Sequence, residues 1–186
     1  TNDPRIERRI WKFPNFPQLR DAVKLRYSLF PYIYTAARET YDTGIGMCRP
    51  LYYEYPDIEE AYKYEGEYFF GNDILVAPIT EPSANGGMSA KEIWFPEGNW
   101  WSASTCELIE GPCVKTLEFS QEQIPYFIKE GAMLPLNPAT VKNVTEQPES
   151  LIINAVAGKN GTGKLYEDTG DNPDYATKFA TTKFTH

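Results

Sequence analysis

The sequence predicts an α+β fold, in which an N-terminal helical segment is followed by a mainly antiparallel β-sandwich. Apolar residues recur every three or four positions between Leu19 and Tyr41, which is the period of an amphipathic helix. From residue 67 onward the pattern changes to short apolar runs bounded by Gly, Pro, Asn and Asp. These runs recur roughly every ten residues, a spacing typical of antiparallel sandwiches.

The helical segment is predicted to begin near Pro17 and to end at Gly44. Proline suits the first turn of a helix, where its missing N–H is not needed, and glycine suits the position after the last turn. Pro31 lies in the middle of the pattern, so it is expected to kink one long helix or to divide it into two packed pieces. The apolar stripe consists of Leu19, Val23, Tyr27, Phe30, Tyr34, Ala37 and Tyr41.

The remaining elements are predicted from the positions of turn-forming residues and from the spacing of apolar residues. Residues 57–66 predict a short helix with Asp57 as its N-cap, because acids occupy its first turn. Residues 138–150 are polar and lack a period, which predicts a linker. Few elements follow it, so the chain is expected to end inside a second β domain. Strands are predicted at 67–71, 73–80, 92–96, 99–103, 114–119, 124–131 and 132–136.

Composition excludes several function classes. The net charge of −8 argues against a nucleic-acid partner, whose phosphates require Lys and Arg. No apolar run approaches the ~20 residues of a membrane span, so no membrane partner is predicted. The single histidine, His186, removes most Ser-His-Asp schemes and His-based metal sites. We therefore predict no metal and no other cofactor.

The three cysteines are too few for a disulfide scaffold. One interpretation places Cys106 opposite Cys113 across a hairpin that turns at residues 110–112. Free thiols at Cys48, Cys106 and Cys113 are the favoured interpretation, and the redox compartment stays open.

Several motifs resemble glycoside hydrolase family 31, the family of α-glucosidases and α-xylosidases. LRYSLFPYIYT (25–35) resembles its LRYxLLPYLYT helix, and GNDILVAPIT (71–80) resembles its GDxLLVAPV segment. IPYFIKEGAMLPL (124–136) resembles IPLFVRAGSIIPL, and GTGKLYEDTGDNPDY (161–175) resembles GxFxLYEDDGxxxxY. The motifs occur in the family's order over nearly the whole chain, so together they are specific.

The resemblance implies a domain organisation. Residues 1–46 would be the terminal loop and last helix of a catalytic (β/α)8 barrel. Residues 47–137 would be the proximal C-terminal β-sandwich, and residues 138–186 a linker with the truncated start of a distal β domain. The opening stretch TNDPRIERR reads as an internal loop, so the chain is expected to be a fragment.

The resemblance also implies a function for the parent protein. Family members hydrolyse α-glycosides with retention, using two aspartates in WxDMNE-like and WxGD-like motifs. Neither motif occurs in this sequence, so the chain is predicted to contain no catalytic residue and to be inactive alone. An oligosaccharide or α-glycoside would bind through the parent's barrel, with the choice between glucosides and xylosides left open. The family's substrates suggest a periplasmic or extracellular location.

Four residues near the N-terminus are candidates for the rim of the substrate pocket, because barrel active sites are built from loops that follow the strands. They are Asp3, Arg5, Arg9 and Trp11. The alternative is a surface loop paired internally.

Other acidic residues have simpler interpretations. Glu59 and Glu60 are expected to be a solvated helix start. Glu167 and Asp168 are expected to lie in a turn, with a Ca²⁺ site as the second interpretation.

A carbohydrate-binding sandwich and a purely structural module are the alternative functions. The first needs exposed aromatic residues. Trp100 and Trp101 are consecutive, so on a strand only one of them could be exposed. The apolar stripe of the helix also predicts self-association of the chain, or tight packing of the helix on the sheet.

Overall fold

The computed structural model describes residues 9–83, 87–143 and 148–186, and over these ranges the chain is mostly antiparallel β-sheet with a helical N-terminal part. The α-helices are α1 (Phe16–Ser28), α2 (Phe30–Thr43), α3 (Leu51–Glu54) and α4 (Glu59–Lys63). The first strands are β1 (Cys48–Pro50), β2 (Tyr68–Phe70), β3 (Ile74–Val76), β4 (Met88–Ser102) and β5 (Leu108–Ser120). The others are β6 (Tyr126–Lys129), β7 (Met133–Leu136), β8 (Ile152–Ala155), β9 (Thr162–Asp168) and β10 (Phe179–Thr185).

Pro31 divides the predicted helix into two. α1 ends at Ser28, and α2 begins at Phe30 with Pro31 in its first turn, where a missing N–H costs nothing. Gly44 ends α2 in the left-handed conformation (φ 75°), and its N–H donates to Thr40 O at 2.9 Å. Both predicted helix boundaries, at Pro17 and Gly44, are therefore confirmed.

The central sheet has six antiparallel strands in the order β1-β2-β3-β6-β4-β5. Side chains alternate between its two faces. Leu75, Phe127 and Trp100 enter a core that includes residues of α3 and α4. Their neighbours Ile74 and Ile128 enter a second core on the opposite face, under α2 and β7. The sheet is therefore covered on both faces.

The long hairpin of β4 and β5 corrects two predictions. The segments 92–96 and 99–103 belong to one continuous strand. Pro96 and Gly98 suggested a break, but a register shift between Phe95 and Gly98 accommodates them within the strand. The residues 110–112 lie inside β5, and the loop of the hairpin is at 103–107. Cys106 lies in that loop while Cys113 is opposite Phe95, so the proposed pairing of Cys106 with Cys113 is wrong. The three cysteines are free thiols.

Two further strand pairs lie beyond the central sheet. β7 pairs with β8, and β9 pairs with β10, all antiparallel. β7 and β8 flank the predicted linker 138–150, of which residues 144–147 lie outside the described ranges. Val156 donates its N–H to Ala132 O at 2.8 Å, which continues the β7–β8 pairing.

One local prediction about the helices is wrong. The N-cap of α4 is Ile58 rather than Asp57, and no side chain caps it. The inward face of α2 is formed by Pro31, Tyr32, Thr35 and Ala36. Of the residues in the apolar stripe, Val23, Ala37 and Tyr41 are exposed.

Candidate functional site

The N-terminal segment that carried the site prediction lies ahead of α1. Arg9 is exposed, and its carbonyl oxygen accepts from the N–H of Lys12 at 2.9 Å. Trp11 is 65% exposed, in the 3-10 turn Ile10–Lys12. Asp3 and Arg5 lie outside the described residues. The assignment of these four residues to a pocket rim therefore stays a prediction.

α2 is anchored to the central sheet by Tyr32. The buried Tyr32 hydroxyl donates to Phe70 O at 3.0 Å and accepts from the Asp73 N–H at 3.2 Å. Gly71 permits this contact: its φ is +65°, and a Cβ there would lie 2.1 Å from the Tyr32 oxygen. Burial, together with the nearby Asp73, raises the pKa of Tyr32, so the hydroxyl stays protonated.

α2 is also anchored to β9, through Thr35. The buried Thr35 hydroxyl donates to Pro31 O at 2.8 Å and accepts from the Tyr166 N–H at 2.9 Å. One side chain therefore joins the first turn of the helix to a backbone group of the strand.

A polar cluster extends this contact along α2. Arg38 donates to Asp42 and, at 3.0 Å, to the Tyr166 hydroxyl, and its guanidinium lies 4.8 Å from the centre of the Tyr166 ring. Asp168 accepts from the hydroxyls of Tyr34 at 2.8 Å and Tyr166 at 2.9 Å. The helix and the β9–β10 pair are therefore joined by charged and aromatic contacts.

The hydrogen bonds to the Asp168 carboxyl favour its ionised form. Burial raises the pKa of its carboxyl, but bonds from the Gly170 N–H and from the two tyrosine hydroxyls outweigh that effect, so the pKa lies below its usual value. Among the described residues, no group of three or more His, Cys, Asp or Glu is arranged to hold a metal ion.

Glu67 is the most deeply buried acid described, with 1% of its surface exposed. Its Oε1 accepts from the Trp94 N–H at 3.1 Å, and its Oε2 has no partner. Burial raises the pKa of Glu67 to about 8, although the Trp94 bond and the charge of Lys91 oppose the rise. The carboxyl is enclosed by the core and lines none of the cavities described below.

Asp73 and Glu39 both line a cavity of about 460 Å³ between α2 and the β9–β10 pair. Burial raises the pKa of Asp73, and the charge of Glu39 adds to the rise. Lys164 and Lys183 line the same cavity. A carboxyl of raised pKa beside a second carboxylate is the combination that a glycosidase uses, so this pair must be included in any test of activity.

Trp100 and Trp101 do not form an exposed aromatic surface. Trp100 is buried in the core, and Trp101 is half-buried, with its indole N–H donating to Ala157 O at 3.2 Å. Exposed aromatic rings lie instead on α3 and α4, at Tyr52, Tyr53 and Tyr62. The Tyr52 and Tyr62 rings stack with centroids 5.3 Å apart.

A second cavity of about 460 Å³ lies between the C-terminal half of α2, β1 and α3. Tyr53, Arg49 and Asn72 line it, and sequence reasoning did not identify any of them. The signal available was Arg49 itself, an arginine inside the apolar, proline-bounded stretch CRPLYYEYP, because a buried arginine must be paired.

The described helices include none that is long and apolar enough to cross a bilayer.

Comparison with known proteins gives a consistent result. The model of the glycosyl hydrolase family 31 C-terminal domain matches residues 44–134. An α-xylosidase of Saccharolobus solfataricus is 34% identical over 168 residues, which are 89% of this chain and 22% of that protein. An α-glucosidase of Bacillus thermoamyloliquefaciens is 34% identical over 84% of this chain and 20% of its own length. The chain thus spans about a fifth of these curated relatives.

Solved structures agree with the sequence matches. A Flavobacterium johnsoniae family 31 dextranase complexed with isomaltotriose superposes with a TM-score of 0.81 at 33% identity, over 91% of this chain and 21% of its own. A family 31 α-xylosidase from Xanthomonas citri gives a TM-score of 0.82 at 26% identity, over 95% of this chain and 20% of its own.

Proposed function

Because this chain belongs to glycoside hydrolase family 31 and carries the family's C-terminal domain, we propose that it is the C-terminal portion of a retaining α-glycoside hydrolase. Its role in that enzyme is structural, and both catalytic aspartates lie in the rest of the protein. The observation that carries the proposal is the match to the C-terminal domain, together with coverage of only 20–22% of two relatives that are glycosidases.

The structural role is to hold the end of the barrel. In this proposal α1 and α2 are the last helical part of the catalytic barrel, and residues 47–137 are the proximal domain that supports it. Tyr32 and Thr35 support this role, because they fix α2 both to the central sheet and to β9. Residues 138–186 are the start of the distal domain.

The substrate of the whole enzyme is proposed to be an α-linked oligosaccharide or α-glycoside. The relatives are named α-xylosidase, α-glucosidase and dextranase, and the dextranase was solved with isomaltotriose. Asp3, Arg5, Arg9 and Trp11 would lie at the rim of its substrate pocket.

The proposal predicts that the 186-residue chain alone hydrolyses neither aryl α-glucosides nor aryl α-xylosides. Hydrolysis requires two carboxyl groups positioned across the anomeric carbon, and positioning alone can supply ~7–11 kcal/mol of the barrier. The measurement is nitrophenol release by the purified chain, with a full-length relative as the positive control.

An Asp73→Asn variant makes this assay decisive. Turnover that survives repurification and disappears in the variant would place a reaction centre at the Asp73–Glu39 cavity. The proposal that both catalytic aspartates lie in the rest of the protein would then be wrong. Background rates for both proteins support the proposal.

A further inference from the structure

We propose that the cavity between α2, β1 and α3, here called the Tyr53 cleft, binds a neutral saccharide. The cleft is defined by Tyr53, Arg49, Glu54, Asn72, Glu39 and Lys129, and has a volume of about 460 Å³. That size lies within the range of small-molecule sites and accommodates one or two pyranose rings.

The polar wall of the cleft is a connected network. Arg49 is 8% exposed, and its guanidinium donates to Glu54 Oε1, to the carbonyl oxygens of Gly46 and Gly71 at 3.1 Å, and to Asn72 Oδ1 at 3.1 Å. Asn72 Nδ2 then donates to Glu39 Oε2 at 3.1 Å. Because these hydrogen bonds are connected, they fix the positions of the polar atoms in the absence of a ligand.

The charges in the cleft balance. Two cations, Arg49 and Lys129, accompany two carboxylates, Glu39 and Glu54. An anionic ligand would meet both carboxylates, and a cationic ligand would meet a guanidinium and an ammonium. A neutral molecule with many hydroxyl groups meets neither repulsion, because hydroxyls donate to carboxylate oxygens and accept from the Lys129 ammonium.

Tyr53 supplies the apolar part of the site. Its side chain is 57% exposed at the mouth of the cleft, on the short helix α3. One face of a pyranose ring carries C–H groups, and an exposed aromatic ring covers that face and removes apolar surface from water. An aromatic ring beside a polar network therefore matches both faces of a sugar.

The choice of α-linked sugars rests on the proposed function, so α-linked glucose oligomers are the probes. Isomaltotriose and maltotriose would be titrated into the 186-residue chain, followed by two-dimensional NMR of backbone amides. We expect saturable shifts at residues of the cleft. Tyr53→Ala should weaken binding at least fivefold, whereas Tyr62→Ala should change it by less than twofold.

Tyr62 is a matched control because it is 53% exposed, lies on the neighbouring helix α4, and does not line the cleft. Thermal unfolding would confirm that both variants fold. If Tyr53→Ala does not fold, Glu39→Gln provides the second variant, with at least threefold weaker binding expected because an amide oxygen accepts hydrogen bonds less strongly than a carboxylate.

Three results would overturn the proposal. The first is an absence of shifts up to 50 mM sugar, on the order of the weakest useful affinities. The second is equal weakening by Tyr53→Ala and Tyr62→Ala, which would show generic contact with exposed rings. The third is displacement of the sugar by inorganic phosphate, which would show an anion site. All three are independent of whether the chain hydrolyses a glycoside.

Discussion

At the scale of single residues, Glu67 is the group whose chemistry departs furthest from its surroundings. A carboxylate with one unpartnered oxygen inside an aromatic core is costly, so folding favours the protonated form. Its pKa in the folded chain, about 8, lies above the value of 4.5 expected for an exposed glutamate. Protonation therefore stabilises the folded state.

We predict that the stability of the chain falls as pH rises from about 4.5 to 8 because Glu67 must lose its proton, and that Glu67→Gln removes this fall. The contribution of Glu67 is fully present below the unfolded-state pKa and is lost as pH passes through the folded-state pKa. The difference between the proteins at pH 8 should reach at most about 5 kcal/mol. Urea unfolding at several pH values measures it.

Glu92→Gln is the matched control, because Glu92 is an exposed glutamate that accepts from Tyr64 on the same side of the sheet. If the free energy of unfolding changes with pH in the same way for the unmutated chain and for Glu67→Gln, burial does not control the pKa of this carboxyl.

At the scale of elements, α2 is hydrogen-bonded to both the central sheet and the β9–β10 pair. The Thr35 hydroxyl makes one of these connections, because it is the acceptor for the buried N–H of Tyr166. Valine has nearly the same shape and lacks that oxygen.

We predict that Thr35→Val lowers the free energy of unfolding by about 1–3 kcal/mol, since the Tyr166 N–H is left without a partner. Hydrogen exchange at the Tyr166 amide should quicken in the same variant. Thr40→Val is the control, because the Thr40 hydroxyl donates to the Ala36 carbonyl of its own helix. Equal destabilisation by the two variants would contradict the role given to Thr35.

Single residues in the sequence predicted where the helical segment begins and ends, whereas distant contacts determine which face of α2 is buried. Pro17 and Gly44 act through their own backbones, so the sequence located them correctly. The inward face of α2 could not be predicted from periodicity, because its residues contact strands more than thirty positions away. The Tyr53 cleft was missed for the same reason: Arg49 and Asn72 are distant in sequence.

At the scale of the whole molecule, α1 buries little of its surface. The whole of α1 lies within the described ranges, and none of its residues is buried. Near its C-terminus the side chain of Asn137 donates to Tyr27 O at 3.1 Å and the Asn137 N–H donates to Ser28 O at 2.8 Å, and near its N-terminus Gln18 Nε2 donates to Glu122 Oε1 at 3.0 Å. The exposed apolar residues Trp11, Phe13 and Val23 lie on this part of the chain.

We predict that the isolated chain self-associates through this surface, and that Val23→Glu weakens the association by about tenfold, because a charge would be buried at the contact. Sedimentation velocity over a hundredfold range of concentration measures it. Val114→Glu is the control, because Val114 is similarly exposed but lies on the edge strand β5. A monomer at every concentration, or a larger effect of Val114→Glu, would contradict this prediction.

The contact between Tyr32 and Gly71 has a consequence for sequence variation. The tyrosine oxygen occupies the space that any side chain at position 71 would need. A larger residue at 71 would require a shorter residue at 32 and would still adopt an unfavourable positive φ, and the two backbone groups bonded to the Tyr32 hydroxyl would need another partner. The two positions are far apart along the chain, yet a substitution at one cannot be designed or interpreted without the other.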